Sequence, residues 1–165
     1  MPAASRARNP KGCHERALGL LAVRARSRRE LERRLLQAGF PAGEVDAELV
    51  RLEAVGLVDD REFARQLARH ELVGRRSGTR AVVSALAAKG VAPDLVAATL
   101  AELDDDPEGR AERLARSRLG RLRGLDEAAA FHRLAGFLMR RGYDPGTSRA
   151  VARRVLEPRG ALGDD

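Results

Sequence analysis

Residues 35–41 read Leu-Leu-Gln-Ala-Gly-Phe-Pro, and this helix-ending pattern decides the fold because the chain repeats it twice. Residues 86–93 read Leu-Ala-Ala-Lys-Gly-Val-Ala-Pro, and residues 138–145 read Leu-Met-Arg-Arg-Gly-Tyr-Asp-Pro. The glycines of the three copies are 51 and 52 residues apart: Gly39, Gly90 and Gly142. Each copy predicts a helix that ends at a glycine, a bulky apolar residue that folds back on that helix, and a proline that opens the next helix. A near-constant period of this kind is typical of a modular array.

Signals for helix starts fall between these ends. Ser27 and Glu30 have the spacing of a capping box, and Asp59 precedes another apolar-periodic stretch as an N-cap candidate. Asp106 and Asp144 each stand before a proline, with Asp at the N-cap and Pro at the first helical position. The pattern predicts nine helices at 15–25, 28–38, 42–54, 60–73, 79–89, 93–103, 107–120, 126–141 and 145–156.

The helices group in threes, and no stretch alternates as a strand would. We therefore predict an all-α protein of three tandem three-helix modules that form an elongated curved array, because a module of about 45 residues needs its neighbour for stability. In chain order we predict a disordered basic tail at 1–14, modules at 15–57, 58–104 and 105–157, and a frayed C-terminus at 158–165.

The charge balance favours a polyanionic partner. The chain carries 31 basic and 24 acidic residues, a net charge of +7. From Arg110 to Arg154 there are 12 basic residues and 4 acidic ones. A surface of this kind attracts nucleic acid. The preference for arginine over lysine has a second explanation in a GC-rich genome, so the net charge carries more weight than the choice of cation.

Other function classes find little support. Cys13 is the only cysteine, which excludes a disulfide framework and a cysteine metal cluster. No apolar run approaches the ~20 residues of a membrane span, and no signal peptide is evident at the N-terminus. The chain contains no phosphate-binding loop of the nucleotide-hydrolysing type. We therefore expect a cytoplasmic protein that is not an enzyme.

At this point the residues carry a family resemblance. Residues 56–64, Gly-Leu-Val-Asp-Asp-Arg-Glu-Phe-Ala, resemble the characteristic junction of the RecX family of regulatory proteins, as do Ser77-Gly78 and 86–91 after it. The stretch 137–143 is similar to that family's third-module signature, and the opening stretch that begins at Ala17 fits as well. The resemblance runs from about residue 16 to 156, in the order typical of the family.

The resemblance implies a function that composition does not show. Members of this family bind the RecA recombinase in the helical groove of the RecA–single-stranded DNA filament. There they lower its ATPase and strand-exchange activities and promote its disassembly, which is a role in DNA repair and the SOS response. They also contact DNA, single-stranded above all, with double-stranded DNA left open, and they need no metal or cofactor. We expect this chain to act as a monomer.

Acidic, thiol and imidazole side chains have structural explanations. Asp59 and Asp60 have no partner for catalysis near them in sequence and suit a helix start. Cys13 stands beside His14 in the predicted tail, and the two remaining histidines are isolated, as solvated or packing residues are: His70 and His132. The three aspartates at 104–106 lack the spacing of a calcium loop.

The aromatic residues have two interpretations. Stacking on bases is one, but aromatic rings at helical spacing fill a core more often: Phe63, Phe131, Phe137 and Tyr143. Of these, the hydroxyl of Tyr143 needs a polar partner. We interpret Phe40 as the residue that folds back on its helix end.

The basic side chains are the candidate site. Those predicted to bind DNA or RecA are Arg75, Arg76, Arg80, Lys89, Arg116, Arg118, Arg121, Arg123, Arg140, Arg141, Arg149 and Arg153. Arg149 and Arg153 share one helix face. The alternative for each is a solvated helix face, and Arg140 and Arg141 could simply stabilise the last turn of their helix. As clusters they favour a surface for a polyanion or an acidic partner.

Two functions remain open, one implied by the resemblance and one by the charge of the basic residues. The first is a regulator that binds the RecA filament. The second is a helical nucleic-acid-binding protein without a recombinase partner, whose affinity would fall steeply with salt.

Overall fold

The computed structural model describes residues 12–103 and 106–157, and in these ranges it contains nine α-helices and no strand. In chain order they are α1 (Cys13–Val23), α2 (Arg28–Gln37), α3 (Ala42–Ala54), α4 (Asp60–Arg69), α5 (Thr79–Ala88), α6 (Pro93–Leu103), α7 (Pro107–Arg116), α8 (Glu127–Arg140) and α9 (Pro145–Leu156). The all-α fold and the order of helices are confirmed.

The first helix begins earlier than predicted. Cys13 and His14 belong to α1, so the prediction that the tail extends to residue 14 is wrong for these two residues. Cys13 stands one helical turn before Ala17, and both side chains are buried on the same face. Because Cys13 packs on the same buried face as Ala17, the helix begins two residues before its predicted start. The rest of the predicted tail, 1–11, and the predicted C-terminal end, 158–165, lie outside the described residues.

Two helices are shorter than predicted by about one turn. The predicted helix 60–73 ends as α-helix at Arg69 and continues as a π-helical turn, His70–Gly74. The predicted helix 107–120 ends at Arg116 and is followed by a 3-10 turn, Leu119–Leu122. Gly120 lies within that turn and Gly124 follows it by two residues, and glycine disfavours a continued α-helix.

The repeated helix ends have the same geometry in all three copies. The three glycines have positive φ angles, +93° at Gly39, +73° at Gly90 and +92° at Gly142. In each copy the amide after the glycine donates to the carbonyl oxygen of the leucine five residues before it, at 3.3, 3.2 and 3.2 Å: Phe40 to Leu35, Val91 to Leu86, and Tyr143 to Leu138. Each leucine side chain is fully buried. The predicted fold-back of the apolar residue is confirmed.

The predicted helix starts are also confirmed. A side-chain oxygen at the N-cap accepts the amide of the third helical residue in α2, α4, α7 and α9, from Ser27, Asp59, Asp106 and Asp144. Pro145 opens α9 as predicted. Pro41, in contrast, stands at the N-cap of α3, one position earlier than the predicted first helical position.

The described chain divides into two compact units. Unit 1 comprises the described parts of Met1–Gln66 and Leu86–Val96, and unit 2 those of Leu67–Ala85 and Ala97–Asp165. The predicted second module, 58–104, contributes to both. The core of unit 1 is built from leucines and valines of α2 and α3 against α1: Ala17, Leu31, Leu35, Val45, Leu49 and Leu52.

The core of unit 2 brings α7, α8 and α9 together. Small side chains of α7 allow close helix contact with larger ones of α8 and α9: Ala111, Ala115, Leu134, Leu138, Val151 and Val155. Phe131 and Phe137 pack against this core while remaining half-exposed. Tyr143 is 2% exposed, which favours a core role over base stacking for this ring.

Candidate binding surface

The start of α2 is held by two later segments within unit 1. The buried hydroxyl of Ser27 donates to the carbonyl oxygen of Lys89, just past the end of α5. The amide of Arg28 donates to a carboxylate oxygen of Asp60, the first residue of α4, at 2.7 Å. Asp60 therefore caps a helix of the preceding module, in agreement with the structural interpretation of the acidic pair.

A buried carboxylate lies one turn into α2. The side chain of Glu30 is 2% exposed, and it forms ion pairs with Arg24, with Arg26 at 2.6 Å and with Lys89 at 3.6 Å. Burial on its own would raise the pKa of Glu30, but the hydrogen bond from Arg24 and the charges of Arg24, Lys89 and Arg26 outweigh it and hold that pKa below its ordinary value. Lys89, a binding candidate, is thus partly neutralised inside the protein.

Unit 2 contains the same junction one repeat later. The amide of Gly78 donates to the carbonyl oxygen of Arg141 at 2.8 Å, and the amide of Arg80 donates to that of Gly142 at 3.0 Å. Gly78 follows Ser27 by one repeat length, and Arg141 follows Lys89 by one. In both units, therefore, the carbonyl at the end of a module's second helix contacts the start of the preceding module's second helix.

Three candidate arginines surround this second junction. Arg76 has a φ angle of +52°, and its carbonyl oxygen accepts the hydroxyl of Tyr143 at 3.0 Å, the polar partner that this tyrosine needs. Arg75 reaches the buried carboxylate of Glu71 at 3.4 Å. The side chains of Arg76 and Arg80 are exposed. Arg75 and Arg76 thus lie in the segment between the π-helical turn and α5, and Arg80 is the second residue of α5.

The arginines after α7 differ from one another in their contacts. Arg116 pairs with Glu112 on its own helix, at 3.0 Å from Nε. The guanidinium of Arg118 lies 4.3 Å from the ring centre of Phe137, a cation–π contact. Arg121 and Arg123 are exposed on the 3-10 turn and just after it.

The remaining candidates lie on α8, α9 and the turn between them. Arg140 is exposed, whereas Arg141 is half-buried and supplies its carbonyl to the junction. Arg149 and Arg153 lie on the exposed face of α9, and the guanidinium of Arg153 is 6.0 Å from the ring centre of Phe131.

Arg133 and Glu30 are the residues that sequence reasoning missed. Arg133 lines a groove with Arg118, Arg121 and Arg140. It stands seven residues before Arg140, and this two-turn spacing on one helix was a signal that would have found it. For Glu30, the capping-box spacing hid its second role, because its cation partner Lys89 is close only in the folded chain.

The other polar candidates have structural partners. The amide of Glu62 donates to the carboxylate of Asp59, which confirms the capping interpretation. Asp106 caps α7, while Asp104 and Asp105 lie outside the described residues. Burial raises the pKa of the Cys13 thiol to about 11, with further contributions from the charges of Glu44 and Glu48.

The part of the chain that the structure describes contains no group of three or more side chains of the metal-binding types placed to share an ion. None of its helices has the length and apolar character needed to cross a lipid bilayer.

Comparison with known proteins identifies the architecture in each third of the chain. Family models described as the first, second and third three-helix domains of RecX match residues 13–52, 59–100 and 104–151. The regulatory protein RecX of Mycobacterium sp. (strain KMS) is 43% identical over 135 residues, which are 79% of this chain and 74% of that protein. That of Mycolicibacterium smegmatis is 40% identical over 154 residues, 87% of this chain and 81% of the relative.

A solved structure shows the same fold. The crystal structure of RecX from Lactobacillus salivarius superposes with a TM-score of 0.78 and covers 87% of this chain and 94% of that one. Its sequence identity is 17%, so this likeness concerns the fold alone.

Proposed function

The chain belongs to the RecX family of regulatory proteins, and from this premise we propose that it binds the RecA–single-stranded DNA filament and lowers the ATPase and strand-exchange activities of RecA. It does so as a cytoplasmic monomer, through contact alone and without a cofactor. The observation that carries the proposal is the match of all three RecX domains, in order, along this one chain.

The repeated junctions support a mechanism that uses several modules together. The Ser27 hydroxyl couples the start of α2 to the carbonyl of Lys89 in the α5–α6 turn, and main-chain hydrogen bonds couple the start of α5 to the α8–α9 turn. The modules also follow one another along a single chain. Once one module is bound, its neighbour acts at a high effective concentration, so that weak contacts with successive RecA protomers add up.

The contacts of the basic side chains rank the candidates. Arg76, Arg80, Arg121, Arg123, Arg140 and Arg149 are exposed and form no ion pair with any residue that the structure describes. We assign the principal contacts with DNA or RecA to these six. Arg75, Lys89 and Arg116 have carboxylate partners inside the protein. Arg118 and Arg153 also lie against aromatic rings, and Arg141 supplies its carbonyl to the junction.

The test is a titration of the purified chain into RecA, single-stranded DNA and ATP. We expect ATP hydrolysis and strand exchange to fall as the chain approaches stoichiometry with RecA. Unchanged rates at an excess of the chain would refute the proposal. A pull-down at moderate salt without DNA addresses the alternative: retention of RecA supports the regulator, whereas binding to DNA alone, lost steeply with salt, indicates a nucleic-acid-binding protein without a recombinase partner.

A further inference from the structure

A groove of about 280 Å³ in unit 2 is lined by four arginines, Arg118, Arg121, Arg133 and Arg140, beside the ring of Phe137 and two leucines. We propose that this groove binds consecutive phosphates of one DNA strand. The inference rests on the proposed function and deepens it, because it locates DNA binding in the third module and assigns it to named residues.

The positive charge of the groove is not balanced by acidic side chains in its lining. No carboxylate lines it, whereas each of three other grooves formed by described residues contains at least one. Its four arginines form no ion pair with any residue in the described ranges, although elsewhere in unit 2 Arg113, Arg116 and Arg154 are paired. Four converging cations repel one another, and an anion with several charges relieves that repulsion.

The spacing of the groove suits a chain of phosphates. Arg133, Phe137 and Arg140 are four and three residues apart on one face of α8, so a rise of ~1.5 Å per residue spreads them over ~10 Å. Arg118 lies over Phe137 and so fills the position between the two helical arginines. A row of this length can contact about two to three consecutive phosphates of one strand.

The stacked arginine also determines which part of a DNA strand the groove contacts. Because the face of Phe137 is covered by the guanidinium of Arg118 at 4.3 Å, the ring holds a cation in place and is closed to a base. The arginines therefore meet the backbone of the strand, and binding is independent of base sequence.

The experiment measures the affinity of the full chain for a fluorescent oligothymidylate over a series of salt concentrations. The groove variant is R121Q/R133Q/R140Q. Because each phosphate contact contributes about 0.7 to the slope of log affinity against log salt for a single strand, the slope should become shallower by about 2. An oligonucleotide of mixed sequence should give the same change.

Two further variants make the result specific. R16Q/R51Q/R61Q removes the same charge from exposed positions of unit 1 and should leave the slope unchanged. R121K/R133K/R140K keeps the charges and should preserve the slope. Circular dichroism and Tm verify that each variant is folded.

Three outcomes would overturn the inference. One is an unaltered slope in the groove variant, another is an equal loss in the unit 1 control, which would indicate diffuse charge, and the third is a wild-type chain that does not bind the oligonucleotide. RecA ATPase inhibition is measured in parallel. A chain that leaves RecA unaffected yet loses slope in the groove variant refutes the proposed function and retains the groove, whereas full inhibition with an unaltered slope does the reverse.

Discussion

The amide of Gly78 donates a hydrogen bond of 2.8 Å to the carbonyl oxygen of Arg141, and it can do so only because residue 78 has no side chain. A Cβ at this position would lie 2.3 Å from the carbonyl carbon of Gly142 and 2.3 Å from the amide nitrogen of Tyr143. Both are main-chain atoms of the α8–α9 turn. The contact of α5 with that turn therefore requires glycine.

Gly78→Ala should destabilise the protein. The main-chain atoms that meet the new methyl group can move only by opening the junction, so we expect the free energy of unfolding to fall by about 2–3 kcal/mol. Urea denaturation measures the change. Gly19→Ala is the matched control, because Gly19 lies within α1 with nothing near its Cβ position, and alanine there should stabilise by up to about 1 kcal/mol. Equal effects of the two substitutions would contradict the close approach at Gly78.

Glu30→Gln should also destabilise, through the cations it leaves behind. Arg26 is only 7% exposed, and without the carboxylate its charge stays buried with no anion beside it. Breaking such a pair costs about 3 kcal/mol. Chemical denaturation at neutral pH checks this, with Glu15→Gln on the exposed face of α1 as the control that should change stability by less than about 0.5 kcal/mol. If Glu30→Gln lowered the stability as little as Glu15→Gln does, the ion pairs of Glu30 would not stabilise the fold.

The difference in stability between wild type and Glu30→Gln should also depend on pH. The pKa of Glu30 is lower in the folded chain than its ordinary value of 4.5, so its carboxylate stabilises the fold fully above that value. This contribution is lost as the pH falls through the folded pKa. The difference in stability between wild type and Glu30→Gln should thus be constant near neutrality and shrink below about pH 4.5. The other carboxylates are present in both proteins, so their contributions cancel in this difference. A difference in stability that grows as the pH falls would contradict the prediction.

The thiol of Cys13 should be unreactive in the native protein. The side chain is 4% exposed and burial raises its pKa to about 11, so at pH 8 little of the nucleophilic thiolate is present and access is blocked. Modification with a coloured thiol reagent should be slow in buffer and fast in denaturant, where the same single cysteine is exposed. Rapid modification of the native chain would mean that this residue lies in a tail, as the sequence had predicted.

The local parts of the fold could be predicted from the sequence because their causes are local. Gly142 must have a positive φ angle to end α8, and Asp144 caps α9 within three residues of itself. Such signals depend on neighbours a few positions away. The π-helical turn after Arg69 had no comparable signal, since it depends on how the chain reaches the buried Ser77 and its hydrogen bond to Glu71 at 2.8 Å.

From the sequence, the candidate site could be predicted only as a set of basic residues, without the contacts that those residues make. Sequence reasoning collected Lys89 and Arg121 in one set, but the folded chain gives Lys89 a buried carboxylate and leaves Arg121 facing a groove without one. Which arginines are neutralised depends on contacts between residues far apart in the chain. Arg133 is a different case, because its two-turn spacing from Arg140 on α8 is visible in the sequence and only its proximity to Arg118 and Arg121 needs the fold.

The junctions of this protein accept their hydrogen bonds at carbonyl oxygens of Lys89 and Arg141, which every amino acid possesses. The side chains at these two positions are therefore not needed as acceptors for the joint itself. A descendant of this chain could exchange the residue at 141 for a neutral or acidic one and still keep its modules linked. The connection between the modules and the charge of their surface can thus evolve separately, which would let one scaffold be adapted to partners of different charge.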